Sequence, residues 1–211
     1  MRMKTLVKSL LVIGVLTLSA CSNSKAEKQA HHEAAKAKPT QTEENVTYPE
    51  FKVGDNVGKE IKAMEVKTLK GKKRKLADFL AEGNTIIAFV KSGCVFCESM
   101  LAIKGATGVQ TKSKFLVVLD SSHADFKGFK EKHEKFKSAG GEWLYDINDD
   151  MKTKLGVVSY PRIMLINKAG DLLEHQVGLV MPEDKSSLEG KQFPEILQKL
   201  SENTMNWMAK L

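Results

Sequence analysis

The chain reads as an α/β domain, a central mixed β-sheet flanked by helices, with an N-terminal β-hairpin extension. Two apolar runs of strand length, Thr85-Ile86-Ile87-Ala88-Phe89-Val90 and Phe115-Leu116-Val117-Val118-Leu119, are each followed by residues able to form a helix. That alternation builds parallel strands joined by crossover helices, and the second run, apolar at every position, suits a strand buried on both faces. A third run, Ile163-Met164-Leu165-Ile166, turns at Lys168-Ala169-Gly170-Asp171 into Leu172 to Gly178, which predicts an antiparallel hairpin and makes the sheet mixed.

Residues 1–20 stand apart from the domain. Arg2, Lys4 and Lys8 precede an apolar stretch, Leu10 to Leu18, too short to span a bilayer comfortably and followed by small residues, the pattern of a secretory signal. Its end, Leu18-Ser19-Ala20-Cys21, resembles the lipobox of bacterial lipoproteins, which implies that Cys21 becomes the lipidated first residue of the mature chain. An uncleaved anchor helix is the other reading, and either one exports the domain and ties it to a membrane. The expected location is therefore the cell envelope, on the periplasmic side of a membrane. Ser22 rather than Asp after the cysteine resembles the signal for outer-membrane delivery in a Gram-negative envelope.

Residues 21–48 are polar, rich in Ala, Lys, Glu, Gln and Thr, and lack a sustained apolar period, so they read as a flexible tether from Cys21. A coil of that length reaches roughly 30 Å on average and about 90 Å at full stretch. His31-His32 within it reads as a solvated pair rather than a metal site.

The domain proper covers 49–211. Ile61, Met64, Val66 and Leu69 form a strand-like stretch, Lys70-Gly71 supplies a turn, and Leu76, Phe79 and Leu80 suggest a short helical turn leading to the strand at 85–90. Lys67, Lys70, Lys72, Lys73, Arg74 and Lys75 cluster across the turn as a solvated hairpin. Without the three basic residues of the leader, the chain's net charge of +7 falls to about +4. Such a charge gives modest attraction to an anionic lipid surface and implies no nucleic-acid partner.

Between the first long strand and the helix after it lies Cys94-Val95-Phe96-Cys97. A Cys-x-x-Cys at such a junction puts its first sulfur at a helix N-terminus, where unpaired N–H groups and the macrodipole favour a thiolate. Cys94 is the candidate nucleophile and Cys97 the candidate resolving thiol. The helix continues from Glu98 to Lys104 and stops at Gly105 or Gly108. A zinc site would need about four ligands, and neither a second Cys pair nor a His at ligand spacing is present. A purely structural bridge would close too small a loop to restrain the unfolded chain much. The chain has three cysteines, so lipidation of Cys21 leaves Cys94 and Cys97 as the only pair, which is not the disulfide framework of a stapled secreted domain.

Phe126, Phe129, His133 and Phe136 recur at helical spacing along Ala124 to Ser138, one apolar stripe among Lys and Glu; His133 reads as a boundary residue of that stripe. Gly140-Gly141 ends the helix, Trp143-Leu144-Tyr145-Asp146 is a brief extended segment, and Met151 to Leu155 is a short helical stretch. Tyr160-Pro161 opens the strand that contains Ile163 to Ile166, a position where no ladder N–H is needed. Phe193, Ile196, Leu197, Leu200, Trp207, Met208 and Leu211 fit one apolar face of a terminal helix.

Four stretches together resemble the thioredoxin superfamily, and within it the exported, membrane-tethered TlpA/ResA-like thiol-disulfide oxidoreductases. They are Leu69-Lys70-Gly71-Lys72 to Leu76-Ala77-Asp78-Phe79, Phe89 to Cys97, Tyr160-Pro161 before Ile163 to Asn167, and Gly170-Asp171 to Gly178. The resemblance implies a thioredoxin-like fold and a catalytic set of Cys94, Cys97 and Pro161, the last as a cis-proline facing the motif. Tyr160, Val95 and Phe96 are the implied substrate-binding residues. No cofactor and no metal are implied. The implied partners are thiols and disulfides of exported proteins, a membrane thiol reductant as electron donor, and the membrane through the lipid anchor. Reduction is the expected direction; a disulfide oxidase or isomerase and a copper-handling thioredoxin-like protein are the alternatives. Thioredoxin's buried Asp in the strand before the motif is matched here by Ala88, which leaves Glu98 as the nearest candidate for proton handling at Cys97, against an exposed helix-cap role.

Overall fold

In chain order the helices and strands are α1 (Gly58–Ala63), β1 (Glu65–Thr68), β2 (Lys73–Lys75), β3 (Thr85–Val90), α2 (Val95–Thr107), β4 (Lys114–Leu119), α3 (Phe126–Phe136), β5 (Glu142–Asp146), α4 (Asp150–Thr153), β6 (Arg162–Ile166), β7 (Leu172–Val177) and α5 (Phe193–Lys210). The computed structural model describes residues 47–211; the leader 1–20, Cys21, the His31-His32 pair and the tether up to residue 46 lie outside the described residues. Among the described residues no helix is long and apolar enough to cross a membrane.

The strands form one seven-stranded sheet in the order β2-β1-β5-β4-β3-β6-β7. β3, β4 and β5 run parallel, with Ala88 opposite Val117 and Val117 opposite Trp143. β6 lies antiparallel to β3, with Ile163 opposite Ala88, and β7 lies antiparallel to β6. Two antiparallel strands, β1 on β5 and β2 on β1, complete the other edge. The basic residues of that edge are solvated, with Arg74 paired to Asp78 at 2.8 Å and Lys75 to Glu65 at 3.1 Å. This is the α/β, thioredoxin-like arrangement: a mixed central sheet between helical layers.

Topology decides which helices share a face. The crossovers β3-α2-β4 and β4-α3-β5 step in the same direction across the sheet, and right-handed crossovers stepping one way place their helices on one side. Accordingly Cys97, Met100 and Leu101 of α2, Phe129 and Phe136 of α3, and Leu200, Met205 and Met208 of α5 enter one core cluster with Ala88 and Val117. On the opposite face Ile61 of α1, Leu76, Phe79, Met151 and Leu155 pack on Ile87, Phe89, Leu116 and Met164. β3 is buried at all six positions, because it lies at the centre of both clusters. Each fully buried side chain of this size contributes about 1.5–3 kcal/mol relative to an exposed one.

Two local expectations are corrected. Ile61 belongs to helix α1 rather than to a strand, which begins only at Glu65. Val57, Ile61 and Met64 are all fully buried, and their spacing of four and three puts them on one helical face; the period of two holds only from Met64 to Val66. Phe193 is 57% exposed instead of contributing to the apolar face of α5, because it occupies the first helical position, outboard of the buried stripe that Leu200, Met205 and Met208 form.

Beyond β5 the chain is redirected by one buried carboxylate. Asp146, with no exposed surface, accepts from the backbone N–H groups of Asp150 and Met151 at 3.1 Å each and so starts α4. Burial pushes its pKa up to about 6, opposed by those backbone donors and reinforced by the charge of Asp150.

Candidate active site

The sequence places two thiols at the end of β3, and local geometry assigns them different environments. Gly93, at φ +74°, takes a left-handed conformation that turns the chain out of the strand. Cys94 then serves as the N-cap of α2, and its sulfur accepts from the backbone N–H of Cys97 at 3.1 Å. Its carbonyl accepts the N–H of Glu98 at 3.0 Å, the first turn of the helix. Cys94 and Cys97 are joined as a disulfide with their Cα atoms 5.2 Å apart. Cys94 keeps 7% of its surface exposed and Cys97 1%, so Cys94 is the more accessible of the two sulfurs. Ala88 lies in the core cluster beneath α2, together with both cysteines.

The segment entering β6 stands beside this loop. Phe89 is opposite Arg162 in the antiparallel ladder, so the residues just before Arg162 meet those just after Phe89. The Tyr160–Pro161 peptide is cis, and the Pro161 carbonyl accepts from the N–H of Gly178 at 2.8 Å. Tyr160 is half-buried; its hydroxyl donates to Asp120 Oδ2 at 2.8 Å, with the Val157 carbonyl oxygen at 3.2 Å. Burial first, and then that hydrogen bond, raises the Tyr160 pKa, so the phenol stays protonated. Lys91 Nζ stands 5.4 Å over the Tyr160 ring.

Val95 and Phe96, 54% and 41% exposed, stand out from the first turn of α2. Phe96 meets Phe193 edge to face, with ring centroids 6.4 Å apart. Sequence reasoning missed Phe193 as a site residue. Its helical spacing assigns it to the apolar face of the terminal helix, and nothing in the sequence ties it to Phe96.

Glu98 is engaged with two lysines of α3. Its carboxylate accepts from Lys132 and, at 2.7 Å, from Lys135, clamping α2 to α3. Burial alone would raise its pKa, but the two lysines outweigh it and hold the carboxyl below the usual range. His133 is accounted for by packing: its ring meets Trp143 edge to face at 5.5 Å, and Nδ1 lies 3.4 Å from Glu134. No group of three or more His, Cys, Asp or Glu side chains among the described residues is placed to hold a metal ion.

No protein-family model matches the chain, and no curated protein matches it in sequence. Solved structures do resemble it. A putative thiol:disulfide interchange protein DsbE from Chlorobium tepidum is 20% identical over 70% of this chain and 99% of its own, with a TM-score of 0.49. A secreted Mycobacterium tuberculosis disulfide oxidoreductase homologous to Escherichia coli DsbE is 15% identical over 63% and 96%, with a TM-score of 0.46. An exposed lipoprotein thioredoxin from Streptococcus pneumoniae strain TIGR4 is 23% identical over 65% and 97%, with a TM-score of 0.45. At such identities and scores the fold rests on this chain's own strand order and pairings.

Proposed function

We propose that this protein is a membrane-tethered thiol-disulfide oxidoreductase that acts on exported proteins through Cys94 and Cys97, in the reducing direction. One observation carries the reading: the Cys94–Cys97 disulfide caps α2, with Cys94 at the helix N-cap keeping 7% of its surface exposed and Cys97 one turn in at 1%. Inert bridges have no need of that asymmetry, whereas exchange requires one sulfur to be reached first and the other to stay close.

In the reduced protein the Cys94 thiolate attacks a sulfur of the partner's disulfide. A bond forms from Cys94 to that sulfur, and the partner's second sulfur leaves as a thiolate that takes up a proton. Cys97 then loses its proton and attacks Cys94 Sγ, which closes the internal disulfide and releases the partner's other sulfur as a thiol. Two electrons have passed to the partner, and a membrane thiol reductant restores the pair. The N–H groups at the start of α2 favour the thiolate on Cys94. Beside it the backbone of residue 160, at the entry to β6, offers an edge for an extended partner segment, while Val95 and Phe96 offer apolar contact. The leader and Cys21 support export and a lipid anchor, with the tether giving the domain reach.

The test is made in cells. With Cys97→Ser, acid-quenched membranes should contain reductant-sensitive adducts through Cys94, while Cys94→Ser traps few; a Cys97→Ser variant without adducts would overturn the exchange reading. Palmitate should label the wild type and not Cys21→Ala, and equal labelling would sink the lipid tether. Alkylation of wild-type thiols with a mass tag should find the pair mostly reduced; a mostly oxidised pair, unchanged when the membrane donor is deleted, would reverse the assigned direction.

A further inference from the structure

Three segments of the chain converge on one aromatic ring beside the thiols. Tyr160 precedes Pro161 at the entry to β6, and its hydroxyl reaches Asp120 at the end of β4. Asp120 is 1% exposed and firmly held: its N–H donates to the Val90 carbonyl at 2.9 Å, and its Oδ1 accepts from the N–H and the hydroxyl of Ser122 at 2.7 Å each. Over the ring face lies the ammonium of Lys91, from the loop that runs from β3 to Cys94.

A phenol donating to a buried carboxylate makes a charge-assisted bond, roughly twice as strong as a neutral one. The Tyr side chain has few rotatable bonds, so a hydroxyl anchored at its far end fixes the backbone at its near end. A smaller residue at position 160 would leave the entry to β6 tied only by its ladder and by Pro161. The ring also gives Lys91 a resting place, since a cation is attracted to the face of a tyrosine.

We propose that Tyr160 is a positioning residue, oriented by Asp120, that fixes the backbone of residue 160 relative to Cys94 and holds the Lys91 ammonium at the mouth of the site. The partner it serves is an extended polypeptide whose disulfide must be aligned along that backbone. A small disulfide, with no flanking chain to align, depends on it less. This proposal rests on the thiol-disulfide reading above.

The experiment compares two substrates on the full-length, detergent-solubilised protein, reduced before use: a peptide disulfide with residues on both sides of each cysteine, and a small aromatic disulfide. In Tyr160→Phe and in Asp120→Ala, the ratio of the single-turnover second-order rate constant for the peptide to that for the small disulfide should fall about tenfold, chiefly through weaker binding of the peptide, the size of one lost hydrogen bond to a charged group. Asp120→Asn, which can still pair with the hydroxyl through a neutral bond, should recover part of that ratio. A general loosening of the fold would lower both rates together and leave the ratio where it was, and that result overturns the proposal. Should Asp120→Ala fail to fold, the ratio in Tyr160→Phe decides alone. A wild type that reduces neither substrate overturns the thiol-disulfide reading itself, a different failure from an active wild type whose ratio the variants leave unmoved.

Discussion

The backbone N–H of Cys97 points at the sulfur of Cys94 across 3.1 Å, so that sulfur is also the cap of α2. Reduction of the disulfide leaves that N–H facing the Cys94 sulfur at the helix N-terminus, while Cys97 sits one turn further in with 1% of its surface exposed. Iodoacetamide at neutral pH should therefore label Cys94 at least about tenfold faster than Cys97. Peptide mapping by mass spectrometry reads the order, and equal or inverted rates would contradict the division of roles.

The clamp from Glu98 to Lys132 and Lys135 predicts a pH dependence of stability. The folded protein holds this carboxyl below its ordinary range, so its contribution is present above the unfolded value of about 4.3 and is lost as pH falls through the lower folded value. Glu98→Gln should cost about 1 kcal/mol at pH near 7, the scale of a partly exposed ion pair. In urea titrations the gap from wild type should narrow as the pH is taken below about 4. A gap that is constant with pH would show that packing, not charge, joins α2 to α3 at this point.

Gly156 tests how the chain before α1 is seated. Its φ is +62°, and a Cβ there would run into the carbonyl oxygen of Pro49 well inside contact distance, a backbone atom that no rotamer change can move. Gly156→Ala should destabilise the domain by about 1–3 kcal/mol through strain and overpacking, and trypsin should cut after Lys52 sooner as Pro49 and Phe51 lift away. Unchanged cleavage at Lys52 would mean that this segment is not held by its contact with Gly156.

Where a residue's role depends on its chain neighbours, the sequence was enough. The runs at 85–90, 115–119 and 163–166 are strands because each is apolar at strand length, and the stripe of Phe126, Phe129, His133 and Phe136 is a helix because its spacing repeats every three or four residues. Cys94 and Cys97 fall at a strand-to-helix junction for the same local reason, and Gly93 and Gly108 mark where the chain turns in and out of α2. Ile61 shows the limit of such reasoning, since a few apolar residues satisfy both periods until the sheet and α1 are assembled.

By itself, then, the sequence determined the principal elements, the thiol pair and the order in which they occur, since these follow from propensity and periodicity over a few residues. Only the tertiary structure decided the partners of the site residues: Phe193 against Phe96, Asp120 bonded to Tyr160, and Glu98 paired with Lys132 and Lys135. Those partners lie tens of residues apart in the chain, joined by strand order and by the hand of the crossovers. Contacts made by the folding of the sheet leave no periodic mark in the segments that make them.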